Sequence, residues 1–245
     1  MRWPSSCSLP GCVSTTVGPE TIPRLEVEVV TLRLDVSPDA EPVLSDQERW
    51  RAGRFAFPRD RRRYVVARAR LRELLGERLG VRPETVELTY GPNGKPALGP
   101  RFAWAKLHFN VSHCEDLAVF ALATGRQVGI DVEAVRLMDD ADAVAALCFS
   151  PAEYTVYCAL PARDRPLSFF QCWTRKEAFI KALGDGLSYP LDQFDVSLLP
   201  GEAARLLRVG DLPGDRCGWR IESFTPATGF VGAVVIERRL AWQQQ

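Results

Sequence analysis

The chain has 245 residues, of which 46% are hydrophobic and 25% charged, and its 31 acidic and 31 basic side chains balance. That length allows one large domain or two small ones with a substantial core, and zero net charge excludes a chain that binds nucleic acid through bulk charge. Seven cysteines with no C-x-x-C pair indicate neither a disulfide framework nor a zinc ribbon, so reduced thiols in a cytoplasmic protein are expected, and no apolar run approaches the ~20 residues of a membrane span.

Residues 1–22 are rich in Ser, Thr, Pro and Gly and lack the apolar run of a signal peptide, so a disordered tail is expected there. Leu25–Val36 is a β-rich run that opens a sheet. After Pro58, "RDRRRYVVARARLRELLGERLG" shows helical spacing through Val65, Ala69, Leu71, Leu74 and Leu75, and Gly80 ends it. Strands are expected at Val86–Tyr90, Leu107–Val111, Leu117–Ala123 and Val128–Val132, with the turn cluster "GPNGKP" after the first.

Beyond Glu133 the chain turns polar and acidic, and helices follow at Ala141–Leu147, Pro151–Leu160 and Pro166–Leu183. Ser150, Pro151 and Glu153 spell a capping-box start. Strands return at Phe194–Leu198, Trp219–Phe224 and Phe230–Ile236. Both halves mix helices with strands, which makes the chain α+β. Two lobes are expected, residues 23–134 and 135–245, joined near 134–142.

The helix around Trp173–Leu187 breaks its own pattern. At about 100° per residue, Phe169, Cys172, Trp173, Phe179, Ile180 and Leu183 share an apolar arc. Lys176 falls in the middle of that arc, and Glu177 and Lys181 lie along its edge. In "VGIDVEAV", the period of two sends Asp131 and Glu133 to one face of a strand. Alone, that pair equally fits the solvated end of an edge strand. With Glu177 it makes three carboxylates, a donor set suited to Mg²⁺ or Mn²⁺. Basic residues supply the complement: Arg54, a run that includes Arg59, Arg61, Arg62, Arg63, Arg68, Arg70 and Arg72, and Lys95 in its turn. Part of the arginine run is a solvated helix face; together these cations attract anions locally. His113, which closes "FNVSH", fits either a local hydrogen bond or a ligand.

"NGKP", "FNVSH", "GIDVE" and "FSPAEY…WTRKEAFIKALGDGL" occur in the order and rough spacing of the 4′-phosphopantetheinyl transferases. The chain most resembles the long, pseudodimeric type that activates surfactin and enterobactin synthetases, from about Leu44 to Ile236. The resemblance implies two α+β lobes about a pseudo-twofold axis, with coenzyme A and Mg²⁺ in the cleft between them. It implies transfer of phosphopantetheine to a serine of an apo acyl or peptidyl carrier protein by a monomer, with neither nucleic acid nor membrane as partner. Asp131, Glu133 and Glu177 match the metal-binding carboxylates. Lys95, Ser112 and His113 match positions that hold the nucleotide phosphates, and Lys176 and Lys181 match lysines near the pyrophosphate. Arg54 and Arg63 align more loosely with basic residues that approach the nucleotide, and Glu153 matches an acidic residue near the metal. By this resemblance Glu177 is the base, Lys181 assists the leaving phosphate with Lys176 beside it, and the helix's charged edge lines the cleft. Two other activities remain compatible with the motifs: a non-catalytic coenzyme A sensor and a metal-dependent phosphodiesterase.

Overall fold

The computed structural model describes residues 16–22, 25–35, 41–184, 189–214 and 217–238. Its frame is four layers deep, helix on sheet on sheet on helix. The first sheet has the order β1-β2-β6-β5 and is antiparallel throughout, built from β1 (Thr16–Ile22), β2 (Val27–Arg33), β5 (Leu107–Cys114) and β6 (Leu117–Thr124). The second has the order β11-β12-β7, from β7 (Val128–Ala134), β11 (Trp219–Phe224) and β12 (Phe230–Glu237).

Alternation along β6 explains the stacking. Ala118, Phe120 and Leu122 face the long helix α2 (Pro58–Leu79), meeting its Val66, Leu71, Leu74 and Leu75. Leu117, Val119 and Ala121 point the other way, into a layer shared with Val128, Ile130 and Val132 of β7 and Val234 and Ile236 of β12. At about 1.5–3 kcal/mol for each large side chain fully buried, this middle layer holds the lobes to each other. On the far side, Ala233 and Val235 of β12 pack under Phe179 and Ile180 of α5 (Arg165–Leu183). Both long helices end at a glycine with positive φ, Gly80 at 67° and Gly184 at 86°, where the absent Cβ removes the left-handed penalty.

The remaining elements are small. A helix α1 (Asp46–Ala52) precedes α2, and a hairpin of β3 (Leu88–Tyr90) and β4 (Pro96–Leu98) carries the 91–95 turn. The helices α3 (Ala141–Cys148) and α4 (Pro151–Ala159) lead into α5. The strands β8 (Phe194–Val196), β9 (Leu206–Val209) and β10 (Leu212–Pro213) form a third sheet. No described helix is long and apolar enough to cross a membrane.

Two expectations about organisation change. Residues 16–22 are not tail but an edge strand, β1, paired with β2; backbone pairing overrides a Pro- and Gly-containing composition at a sheet edge. Residues 1–15 lie outside the described part. The break between lobes also falls earlier than 134. Because β7 pairs with β12 from Ile236↔Val128 to Phe230↔Ala134, it belongs with the C-terminal strands, and the sheets part in the 125–127 turn.

One glycine sets how closely α5 approaches β7. A Cβ on Gly129 would stand 2.1 Å from the Ala178 carbonyl oxygen and 2.3 Å from the Ala182 nitrogen. Gly129, Asp131 and Glu133 share the face of β7 that α5 covers, so the same contact brings Glu177 and Lys181 down to the carboxylates. Gly129→Ala is expected to cost about 1–3 kcal/mol by overpacking and to lower turnover. Urea unfolding and a rate measured on the folded fraction check both.

Candidate active site

The N-terminal sheet ends in β5 and the C-terminal sheet in β7, and these two edges meet beneath α5. No strand ladder joins them; the seam is closed by side chains. Asn110 Oδ1 accepts from the Ile130 amide at 2.9 Å, replacing a missing ladder bond. Two residues on, Ser112 Oγ donates to Asp131 Oδ1 at 2.7 Å. Lys181 reaches in from α5, its Nζ 2.6 Å from the same Oδ1 and 3.0 Å from Ser112 Oγ.

Asp131 is buried, and its other oxygen, Oδ2, has no hydrogen-bond partner. A bare carboxylate oxygen out of water costs about 1–3 kcal/mol or more, so this atom fits a cation in a way that a neutral surface strand end does not. Burial raises the Glu177 carboxyl above the ordinary range; Lys181 opposes the rise, and Asp131 and Glu133 add to it. The three carboxylates therefore share one field. Among the described residues, however, no three His, Cys, Asp or Glu side chains are gathered as metal ligands. Asp131 pairs with Lys181 through Oδ1, and Glu133 directs its Oε2 to Cys114 Sγ at 3.3 Å and Arg136 at 3.5 Å. The donor set suits Mg²⁺ or Mn²⁺, and Asp131 Oδ2 is the oxygen ready for it.

Cations line the rim. The His113 ring is exposed on β5, and its pKa is lowered, first by partial loss of water and then by Lys181 and Arg63. Arg63, on the first turns of α2, has a buried Nε without a partner. Arg63 and Lys181 thus form a cationic pair beside Asp131, and they favour the neutral form of the His113 imidazole next to them. Ser112 lies among them, but its hydroxyl is engaged by Lys181 and Asp131, so it orients those groups. Lys95 crosses the seam from the 91–95 turn, its Nζ donating to the carbonyls of Val128 at 3.3 Å and Ala182 at 3.2 Å. Burial draws its pKa down to about 8. Arg54 stays on the surface, its guanidinium 4.7 Å from the Trp50 ring centroid, with no bond to the Asp131 group.

Lys176 is a correction. Its ammonium does not open on the cleft, nor does it stand beside Lys181. It is 0% exposed, 2.7 Å from Glu153 Oε2, and donates to the carbonyls of Leu191 and Phe194, each at 2.7 Å. The Phe194 ring centroid lies 4.2 Å away. Glu153 is corrected with it. Rather than approaching the metal carboxylates, it closes the capping box of α4 with Ser150, accepts from the Val196 amide at 2.7 Å and neutralises Lys176. The physical reason is saturation: three oxygens already satisfy the three N–H donors of the ammonium.

With this geometry in hand, comparison with known proteins decides the family. Residues 39–125 match the model for the N-terminal domain of 4′-phosphopantetheinyl transferases, and residues 127–235 match that of the 4′-phosphopantetheinyl transferase superfamily. The 4′-phosphopantetheinyl transferase HetI of Nostoc sp. is 39% identical over 205 residues, which is 84% of this chain and 83% of that protein. This chain belongs to the 4′-phosphopantetheinyl transferase superfamily.

A putative 4′-phosphopantetheinyl transferase of Synechocystis sp. is 32% identical over 82% of this chain and 80% of its own. A 4′-phosphopantetheinyl transferase of Bacillus subtilis is 31% identical over 63% of this chain and 66% of its own. The junction between the two family models, at residues 125–127, coincides with the break between the sheets. Asn110 lies inside "FNVSH" and Cys114 just after it, but neither is among the site residues expected from the sequence. The signal that finds them is period two counted outward from Ser112.

Proposed function

We propose that the protein transfers 4′-phosphopantetheine from coenzyme A to a serine of an apo carrier protein, releasing 3′,5′-ADP, as a monomer in the cytoplasm. The observation that carries this reading is the buried, unpartnered Asp131 Oδ2 next to the Lys181 and Arg63 cations and the His113 ring. Binding of a nucleotide alone needs the cations but gives no reason for that oxygen.

In the proposed reaction the carrier serine Oγ forms a bond to the phosphorus of the pantetheine phosphate as the pyrophosphate P–O bond breaks. Asp131, Glu133 and Glu177 would hold a divalent cation, which supplies Lewis-acid neutralisation of the pyrophosphate oxygens. Glu177, whose carboxyl pKa is raised by burial, takes the serine proton. Lys181 uses two donors on Asp131 and Ser112, which leaves a third N–H for the departing phosphate of 3′,5′-ADP. Arg63 and His113 hold the nucleotide's other phosphates. Catalysis is then mostly positioning and charge neutralisation.

Lys95 gives this reading a pH dependence. With a pKa of about 8, it is charged below that pH and neutral above it. If Lys95 leaves its two carbonyls for a phosphate, the KM for coenzyme A rises above pH 8, by roughly tenfold at pH 9 if the neutral amine contributes nothing. Lys95→Arg, always charged, removes the rise. A KM flat through pH 9 in the native protein takes Lys95 off the phosphates.

The deciding experiment mixes protein, coenzyme A, Mg²⁺ and an apo carrier protein and weighs the carrier. A gain of one phosphopantetheinyl group supports transfer. Coenzyme A cleaved with the carrier unchanged points to a phosphodiesterase, and coenzyme A bound but intact points to a sensor.

A further inference from the structure

Asn110, Ser112 and Cys114 stand at alternate positions on β5, so all three face β7, and each engages a different residue there. Asn110 holds the backbone at Ile130, Ser112 holds the Asp131 carboxylate, and Cys114 holds Glu133. The Cys114 contact is two-sided. Its sulfur accepts from the Ala134 amide at 3.4 Å while its S–H donates to Glu133 Oε2 at 3.3 Å. The amide fixes the sulfur to the strand that carries Glu133, and the thiol then fixes one carboxylate oxygen. Arg136 also reaches Oε2, but at 3.5 Å and from a half-exposed side chain that bonds the Ala134 carbonyl and lies over Phe170. Among the described residues Oε1 of Glu133 has no hydrogen bond, so the anchored carboxylate keeps one oxygen open.

We propose that Cys114 is a positioning residue for the transfer reaction, presenting Glu133 to the divalent cation as Ser112 presents Asp131. The inference rests on the transfer reading above and adds a residue to it. Glu133 lies near the end of β7, where an unanchored side chain samples several rotamers. A ligand that must be ordered at the moment of binding costs affinity, and groups that orient a ligand carboxylate typically contribute a factor of 10–100 to metal affinity. Cys114 acts at 3.3 Å from the carboxylate and touches neither nucleotide nor carrier in this assignment. Its loss should therefore fall on the metal and leave coenzyme A binding nearly unchanged.

The test titrates Mn²⁺ into the full chain with 3′,5′-ADP present, following free Mn²⁺ by its electron paramagnetic resonance signal, alongside KM for coenzyme A and thermal melting. Cys114→Ala is expected to weaken Mn²⁺ by about tenfold with KM and melting close to native. Cys114→Ser restores a donor and acceptor at the same place and should recover most of the affinity. If Cys114 works through Glu133, adding Cys114→Ala to Glu133→Gln weakens Mn²⁺ no further. The inference is overturned by native Mn²⁺ affinity in Cys114→Ala, by a serine variant as weak as the alanine one, or by additive loss in the double variant. A native protein that binds no Mn²⁺ overturns the metal site itself, and this inference with it; native binding with an unaffected alanine variant overturns the inference alone.

Discussion

Lys176→Met should lower the stability of the folded protein by about 3–5 kcal/mol, the usual cost of leaving one partner of a buried ion pair alone. A helical wheel suggests the reverse, since a thioether chain fills an apolar arc without a charge to desolvate. The structure changes the sign because the ammonium is not waiting for a ligand. It already meets Glu153 and the carbonyls of Leu191 and Phe194. Removing it strands the Glu153 carboxylate, which burial already pushes toward its protonated form and which Lys176 is the main group holding down. It also strips a donor from the Leu191 and Phe194 carbonyls, the second of them buried. Those carbonyls belong to the segment leading into β8, so α4, α5 and the third sheet loosen together. Adding Glu153→Gln removes the unpaired charge and should recover part of the loss, incompletely because Glu153 also accepts from the Ser150 and Val196 amides. Urea unfolding of the two variants measures this. Turnover per folded molecule should be largely kept. A Lys176→Met protein that melts like the native one yet fails to turn over would restore Lys176 to the cleft.

That reversal marks where a sequence stops being informative. Periodicity places Lys176 on the buried side of α5, and it is on that side. It cannot report that the oxygens waiting there come from Glu153, Leu191 and Phe194. The local signals held where a single element carries them. The capping box at Ser150–Glu153 forms as spelled, α2 runs from Pro58 to Leu79, and Asp131 and Glu133 share one face of β7. Signals that depend on a partner did not carry. A strand of period two does not name the sheet it joins, so β7 reads as the end of the first lobe although it pairs with β12. The short strands β9 and β10 have too few residues to show alternation, and β1 is masked by its own Pro and Gly. Cys114 has no motif of its own. Its role emerges only once β5 and β7 are seen edge to edge.

The largest effect on rate should come from the carboxylates at that seam. Asp131→Asn removes a full charge while keeping the shape, and Lys181 then loses the ion pair that aims it. An amide presents one oxygen where the carboxylate presents two, so Oδ1 can go on accepting from Ser112 and Lys181 only by turning an NH₂ toward the place of Oδ2. Asp131 Oδ2 has no hydrogen-bond partner, and a donor in its place repels a cation. Losing metal neutralisation of a pyrophosphate, at several kcal/mol, corresponds to about a thousandfold in turnover at 1.36 kcal/mol per tenfold. Glu177→Gln acts differently. It leaves the Asp131–Lys181–Ser112 group intact and removes the proposed base along with one ligand charge, so a loss of about 10²–10⁴-fold is expected. Because Glu177 sits in the field of two other carboxylates, neutralising it relieves repulsion, and thermal stability in the absence of metal should hold or rise. The pair of measurements therefore separates site from scaffold. A variant that melts at or above the native temperature and no longer modifies the carrier protein keeps Glu177 in the reaction; near-native turnover at saturating Mg²⁺ removes it.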